Sequence, residues 1–418
     1  MGIELVITGA RLLDRAGLAD IAVSSGQIAA VVETGQAPPA ERTLDAGSNL
    51  VTAPFIDPHF HLDKVLSRDI LGATSATEAF DRAREAKAQF TAADVEERAS
   101  QAIRLAAAHG IAAIRAQVDV DTATGLRSLE GVVAARERFG HLIDIEVVAF
   151  PQEGIVADPG ASELLRQALR EGADLVGGLP EFEASRADQH EHMTTVFEIA
   201  EEFDVPVDMH IDYMDDPNLK TLEALARLTV ERGFEGRVVA DHCCALATYP
   251  DDEARRVIEA VASAEIGVNI LPIANLQMLG GPGRTPTTRG SSRAAELLDA
   301  GVSVAAGLDN MYDIWFRFGR MDPAEVALLT CLSAGLRTDE EVRIGFEMTN
   351  VRAADVLGRP RQSMEVGAPA DFVILNGSTI VEFMRNLPGR RTLFRGGREV
   401  AGIHGSAWAL EDAGPRPT

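Results

Sequence analysis

Five residues stand where their types and spacing could do chemistry. His59 and His61 are two apart in Asp57-Pro58-His59-Phe60-His61, which closes an apolar, β-type run. On an extended chain residues i and i+2 point the same way, so both imidazoles present nitrogen to one side and can chelate a cation. Three further runs close with Asp208-Met209-His210, Ala240-Asp241-His242 and Gly307-Leu308-Asp309-Asn310. Four histidines and an aspartate at matching strand ends read as a metal site. A second H-x-H, His190-Glu191-His192, lies in an acidic stretch with helical character. There i and i+2 diverge, so this pair is expected on a solvated helix face. His109 and His141 fall just before strands, at the opposite end, and are expected to be structural.

One ion held by three histidines and an aspartate suits Zn²⁺ or Fe²⁺, with Mn²⁺ or Co²⁺ also compatible with the donors. Such an ion lowers the pKa of its water to about 7 and supplies a nucleophile at neutral pH. Asp309 can be one of the ligands. Asp309 can also accept the water's proton, and His242 can orient the nucleophile and hold the developing oxyanion. Hydrolysis at an electrophilic carbon follows. Two-metal barrel hydrolases usually bridge their ions with a carbamylated lysine or a carboxylate at strand four. Here that strand reads Leu175-Val176-Gly177-Gly178-Leu179, and the only lysines of the chain are Lys64, Lys87 and Lys220. One metal is therefore expected.

The elements that must position these groups are eight β-branched-rich runs, each followed by room for a helix. They are Val51–Asp57, Ile111–Val118, Ile143–Phe150, Leu175–Leu179, Val205–His210, Val238–His242, Val268–Leu271 and Val302–Leu308. Helical stretches such as Ala92–His109 and Ala161–Glu171 lie between them, and the alternation predicts an α/β fold, a (β/α)8 TIM barrel. Catalytic groups of such a barrel come from the C-terminal strand ends, where the five residues lie. Short strands at both ends of the chain (Ile3–Thr8, Asp20–Val23, Ile28–Val32, Asp371–Leu375, Arg391–Phe394, Glu399–Ala401) predict a small β-sandwich domain built from residues 1–50 and 360–404. The barrel then occupies 51–359, and 405–418 forms a loosely held tail.

Composition limits the partners. The 418 residues are 46% hydrophobic and 25% charged, enough to bury a large core and to exclude disordered and fibrous classes. Sixty-four acidic against 39 basic residues give a net charge of −25, which repels phosphate backbones and anionic lipid heads. No nucleic-acid or membrane partner is expected, and a small-molecule substrate is. Three cysteines without a C-x-x-C pair offer neither a disulfide framework nor a zinc ribbon. No basic n-region with an apolar core opens the chain, so a cytoplasmic location is expected; a homo-oligomer is compatible with this architecture.

A strand running into PHFHLDK, HID after strand five, DH after strand six and GLDN after strand eight resemble the amidohydrolase superfamily. Ala353-Ala354-Asp355-Val356-Leu357-Gly358 and Gly367-Ala368-Pro369-Ala370-Asp371 extend the resemblance over nearly the whole chain. Phe150-Pro151-Gln152-Glu153-Gly154 resembles the cytosine deaminase segment whose glutamine holds the pyrimidine ring, which implies that role for Gln152. Asp309-Asn310-Met311-Tyr312-Asp313-Ile314-Trp315 looks more like N-isopropylammelide isopropyl amidohydrolase. The resemblance implies His59, His61, His210 and Asp309 as ligands, and His242 as the residue orienting water and substrate. One departure stands out: Tyr213 occupies the place of the cytosine deaminase glutamate that shuttles protons, and a phenol of pKa about 10 shuttles poorly near pH 7. Leu308 likewise stands where that enzyme has a histidine. Asp212 then either takes over as the acid or makes a structural hydrogen bond.

Around the substrate the sequence places Gln152, Lys64, Trp315, Asn310 and Tyr213. Lys64 either meets an anionic or carbonyl group or pairs with Asp63, and Trp315 either stacks on a flat ring or packs in the core. Leu279–Gly290, with Arg284, is either an active-site lid or a plain loop. Cys243 and Cys244 read as packing. The expected function is hydrolytic C–N cleavage, releasing ammonia or an amine from a pyrimidine- or triazine-like ring. The alternative is opening of a cyclic amide or ureide; a non-catalytic binding relative is the remote one.

Overall fold

The computed structural model describes residues 2–71, 82–279, 292–387 and 389–403. Two compact units divide the chain: Met1–Pro54 with Ala107–Gly110 and Gln362–Thr418, and Phe55–Ala106 with Ile111–Arg361. The first begins with β1 (Ile3–Ala10), β2 (Ala19–Ser24), β3 (Gln27–Glu33) and β4 (Ala40–Asp45), which form a sheet in the order β3-β2-β1-β4. β4 pairs parallel to β1 at the sheet edge, and its AERTLD sequence, exposed at four of six positions, carries no apolar alternation to announce it. A two-residue strand, β5 (Val51–Thr52), follows.

The second unit is the barrel. Its eight strands are β6 (Phe55–Phe60), β7 (Ile111–Asp119), β8 (Asp144–Phe150), β9 (Leu175–Gly178), β10 (Val207–Ile211), β11 (Val238–His242), β12 (Gly267–Ile270) and β13 (Val304–Ala306). They pair in sequential order, all parallel. The ring closes through a parallel bridge between Phe60 and Asp309, with the Asp309 amide donating to His59 O and the His61 amide donating to Asp309 O, both at 2.9 Å. Gly307 makes this closure possible: a Cβ there would lie 3.1 Å from both Asp57 Oδ1 and His59 O. The run Val51–Asp57 expected as the first barrel strand is thus two strands. Val51 and Thr52 belong to the other unit's sheet, Pro54 interrupts the ladder because it has no N–H to donate, and the barrel strand runs on to Phe60.

Helices cover the barrel strands, among them Ala92–Ala108, Ala161–Arg170, Arg186–Phe203 and Thr221–Arg232. The first unit resumes with β14 (Phe372–Leu375), β15 (Arg391–Arg395) and β16 (Arg398–Ile403), giving a second sheet in the order β16-β15-β14-β5. Apolar side chains of its two sheets share one core, with Leu5, Ile7, Ile21 and Val23 meeting Phe372 and Phe394, whose rings stack at 4.7 Å. Both chain ends therefore build one β sandwich. The expected tail and most of the Leu279–Gly290 segment, including Arg284, lie outside the described residues.

Candidate metal centre

Each expected ligand stands at a C-terminal strand end. His59 lies on β6, with His61 one residue beyond it; His210 lies on β10, His242 ends β11, and Asp309 follows β13. All are buried. His242 and Asp309 both take φ of +68°, a left-handed turn that histidine and aspartate tolerate better than branched residues, and it swings their side chains over the barrel mouth. His61 Nε2 and His210 Nε2 approach to 3.2 Å, and Asp309 Oδ1 stands 3.4 Å from the Nε2 atoms of both His59 and His61. His59 Nε2 is buried without a hydrogen-bond partner among the described residues. Tetrahedral ligands at 2.0–2.1 Å from one ion are about 3.3–3.4 Å apart, close to these three separations, and His59, His61 and His210, like His59, His242 and Asp309, each form a set of donors able to hold a metal ion.

Ligand orientation is set from behind. Asp241 Oδ2 stands 3.0 Å from His59 Nδ1, a buried charge contact that leaves Nε2 facing the other donors. Asn269 Nδ2 donates to Asp241 Oδ1 at 2.8 Å. Burial disfavours charge on His59, but Asp241 and then Asp309 outweigh it and hold its pKa well above the ordinary value, the signature of a position that favours positive charge. Burial keeps His61, His210 and His242 below it, hence neutral with lone pairs available. Phe150 stacks on the His210 ring at 4.2 Å, and Asn275 Oδ1 stands 3.4 Å from His242 Nδ1.

β7 carries a polar face that the sequence reading passed over. Arg115, Gln117 and Asp119 alternate along this fully buried strand. Arg115 Nη1 and Gln117 Nε2 donate to the two oxygens of Asp208, at 2.9 and 2.6 Å. Asp119 receives Lys64 Nζ at 2.6 Å and Lys87 Nζ at 3.0 Å, and Lys87 also reaches Asp121 at 2.7 Å and Glu153 at 2.6 Å. His61, Asp63 and Asp119 would by themselves resemble a second cation site. The two buried ammonium groups supply the positive charge there, consistent with one metal. Polar residues at i, i+2 and i+4 inside an otherwise apolar strand were the signal available.

A pocket of about 440 Å³ opens beside the ligands. His61, His210, His242 and Asp309 meet it on one side; Gln152, Asn310, Tyr213 and Trp315 line it with Leu179, Phe182 and Phe316. Four of the five expected substrate residues are thus brought together. Lys64 is instead fully buried: it pairs with Asp119 rather than Asp63, donates to Gln152 Oε1 at 3.0 Å and lies 4.8 Å over the Trp315 ring. Trp315 both lines the pocket and packs on Ile314, Phe316 and Leu271. Asn310 donates to Asp313, whose other oxygen caps the Trp315 and Phe316 amides at 2.9 and 2.8 Å. Burial raises the Tyr213 phenol to about 12, so it stays protonated.

Asp212 is not brought to the pocket. Its oxygens accept from the Thr221 amide at 2.9 Å, Thr221 Oγ1 at 2.6 Å, the Leu222 amide at 3.2 Å and Tyr249 Oη at 3.2 Å. It caps the helix Thr221–Arg232, the structural alternative, because its own φ of +49° turns the side chain away from the strand direction. His192 is a second correction. His190 is exposed, but His192 is buried between the Leu179 amide, which donates to Nε2 at 3.0 Å, and Glu183 Oε1, 2.8 Å from Nδ1. Gly178 leaves room for that ring, since a Cβ there would lie 3.0 Å from His192 Nε2. Glu181, in the loop after β9, accepts from the Asp212 amide and shares the Thr221 hydroxyl with Asp212, and burial, then Asp212, raises its carboxyl to about 8. Cys243 and Cys244 are buried, their thiols pushed up by burial.

An eight-stranded barrel with this donor set at its C-terminal mouth is the architecture of a metal-dependent hydrolase. The sequence profile of the amidohydrolase family matches residues 42–396, and the chain belongs to that family. A pterin deaminase of Rhizobium rhizogenes is 31% identical over 388 residues, 91% of this chain and 87% of the relative. An N-isopropylammelide isopropyl amidohydrolase of Pseudomonas sp. is 29% identical over 382 residues, 89% of this chain and 91% of the relative. The crystal structure of a 5-methylcytosine deaminase from Klebsiella pneumoniae, liganded with 5-fluorocytosine, superposes with a TM-score of 0.90 at 27% identity, covering 97% of this chain and 99% of the other. The expected branch of the family is therefore the one found. Among the described residues no helix is long and apolar enough to cross a membrane.

Proposed function

We propose that this protein hydrolyses an exocyclic C–N bond on a small nitrogen heterocycle, releasing ammonia or an amine and leaving a ring carbonyl. The observation that carries the reading is the cluster of His59, His61, His210 and Asp309, with His61 3.2 Å from His210 and Asp309 3.4 Å from His59 and His61, beside a pocket that His61, His210 and Asp309 line together with apolar side chains. The relatives are named for pterin, N-isopropylammelide and 5-methylcytosine, which supports a substrate among amino- or alkylamino-substituted pyrimidines, triazines and pteridines. Those four residues would hold one divalent metal, Zn²⁺ or Fe²⁺ first and Mn²⁺ or Co²⁺ next, which when bound activates water for attack at neutral pH.

The chain's own residues do the rest. Asp309 takes a proton from the attacking water and returns it to the departing nitrogen, since Asp212 is committed to its helix cap. His242, neutral and with Nδ1 toward Asn275 Oδ1, presents its Nε2 lone pair to the attacking water and orients it. Trp315, Phe316 and Phe182 flank the ring and exclude bulk water. In sum, water adds to the ring carbon, the C–N bond breaks and the amine leaves with the proton. The test is a screen of aminated and alkylaminated pyrimidines, triazines and pteridines with the metal-loaded enzyme, following ammonia or amine release. A new carboxylate instead would assign ring opening; no product, with metal bound, would assign a binding protein.

A further inference from the structure

We propose that Lys64 is a positioning residue that fixes the Gln152 carboxamide with its oxygen turned inward and its NH₂ end toward the pocket, so that the site selects rings carrying a carbonyl at that edge. The inference rests on the functional reading above and deepens it. An ammonium has three donors and no acceptor, so the Gln152 atom 3.0 Å from Lys64 Nζ must be the oxygen. The opposite end of the amide, Nε2, has no protein partner among the described residues, and Gln152 lines the pocket.

Lys64 has little freedom to do otherwise. It is fully buried, bound to Asp119 Oδ1 at 2.6 Å, and held between the faces of Phe150 and Trp315, at 5.3 and 4.8 Å from their centroids. Asp119 is itself fixed by Lys87 and by its own amide, which donates to Asp63 Oδ2 at 3.1 Å. The polarity of the Gln152 amide is thus written by a buried chain of charges that never meets the substrate. A ring placing only a donor there would face the NH₂ group without a partner, a mismatch that lowers affinity roughly 10-fold or more.

The experiment measures binding to the full-length, metal-loaded protein by calorimetry, using pyrimidin-2-one, pyrimidine and 2-aminopyrimidine as probes. Wild type should bind the oxo ring about 10-fold or more tightly than the other two. In Lys64→Met the amide can rotate, and the preference should fall to within about 3-fold. Gln152→Glu keeps the Lys64 ammonium partnered but presents oxygen only, so its preference should reverse toward 2-aminopyrimidine. This variant decides the matter even if Lys64→Met fails to fold. No oxo preference in wild type, an oxo preference retained in folded Lys64→Met, or one retained in Gln152→Glu, overturns the proposal. Failure of the functional reading shows separately, as no amine release from any ring by wild-type enzyme that binds these probes.

Discussion

Removing the carboxylate behind His59 should weaken metal binding without unfolding the barrel. Asp241 Oδ2 and His59 Nδ1 are 3.0 Å apart, and both side chains are inaccessible to solvent, so neither salt nor water screens the contact. A hydrogen bond to a charged group is worth about 1.5–3 kcal/mol against about 0.5–1.5 for a neutral one. Asp241→Asn keeps an oxygen of similar reach and loses the charge, a difference of about 1–1.5 kcal/mol, or roughly tenfold in metal affinity. Asp241→Ala loses the whole contact and should approach a hundredfold. The assay is competition for Zn²⁺ against a chromophoric chelator, with far-ultraviolet circular dichroism as the control for folding. Folded variants that both bind metal within twofold of wild type would refute the claim that Asp241 orients His59.

Other substitutions test the surrounding assignments. Asp212→Ala should lower stability by about 2–4 kcal/mol in urea, from a lost helix cap and buried donors left unpaired, while kcat of the metal-loaded enzyme stays within about threefold; a kcat loss of about 100-fold or more would return Asp212 to the catalytic set. Glu181 holds its proton in the folded state up to about pH 8 and releases it in the unfolded chain above about 4.5. Its stabilising contribution is therefore complete below about pH 4.5 and lost as pH rises through about 8. Glu181→Gln cannot lose that proton, so the gap between its melting temperature and that of wild type should widen across this range; parallel curves would show that the carboxyl is ionised throughout.

The barrel was legible because its strands are short β-branched runs at helix-length intervals, and period and spacing are local properties. The split of Val51–Asp57 was not, since Pro54 separates two strands whose partners, β14 and β7, lie far away in sequence. The candidate ligands could be picked out from strand-end position alone, and the structure brings them together. Their supporting residues could not: Asp241 looked like the neighbour of a histidine, and Lys64 becomes interpretable only when β7 brings Asp119 against it. His192 was misread because its neighbours are acidic, whereas its ring enters a space that Gly178 leaves. Asp212 offered two alternatives in sequence, and the left-handed turn after β10 selects between them.

The most direct test of the central claim is elemental analysis of the protein purified without added metal, repeated on His59→Ala. The account predicts about one divalent transition metal per wild-type chain and its loss from the folded variant. Two ions per chain would contradict the role given to the buried lysines, and no metal even after incubation with zinc, iron and manganese would contradict the hydrolase itself.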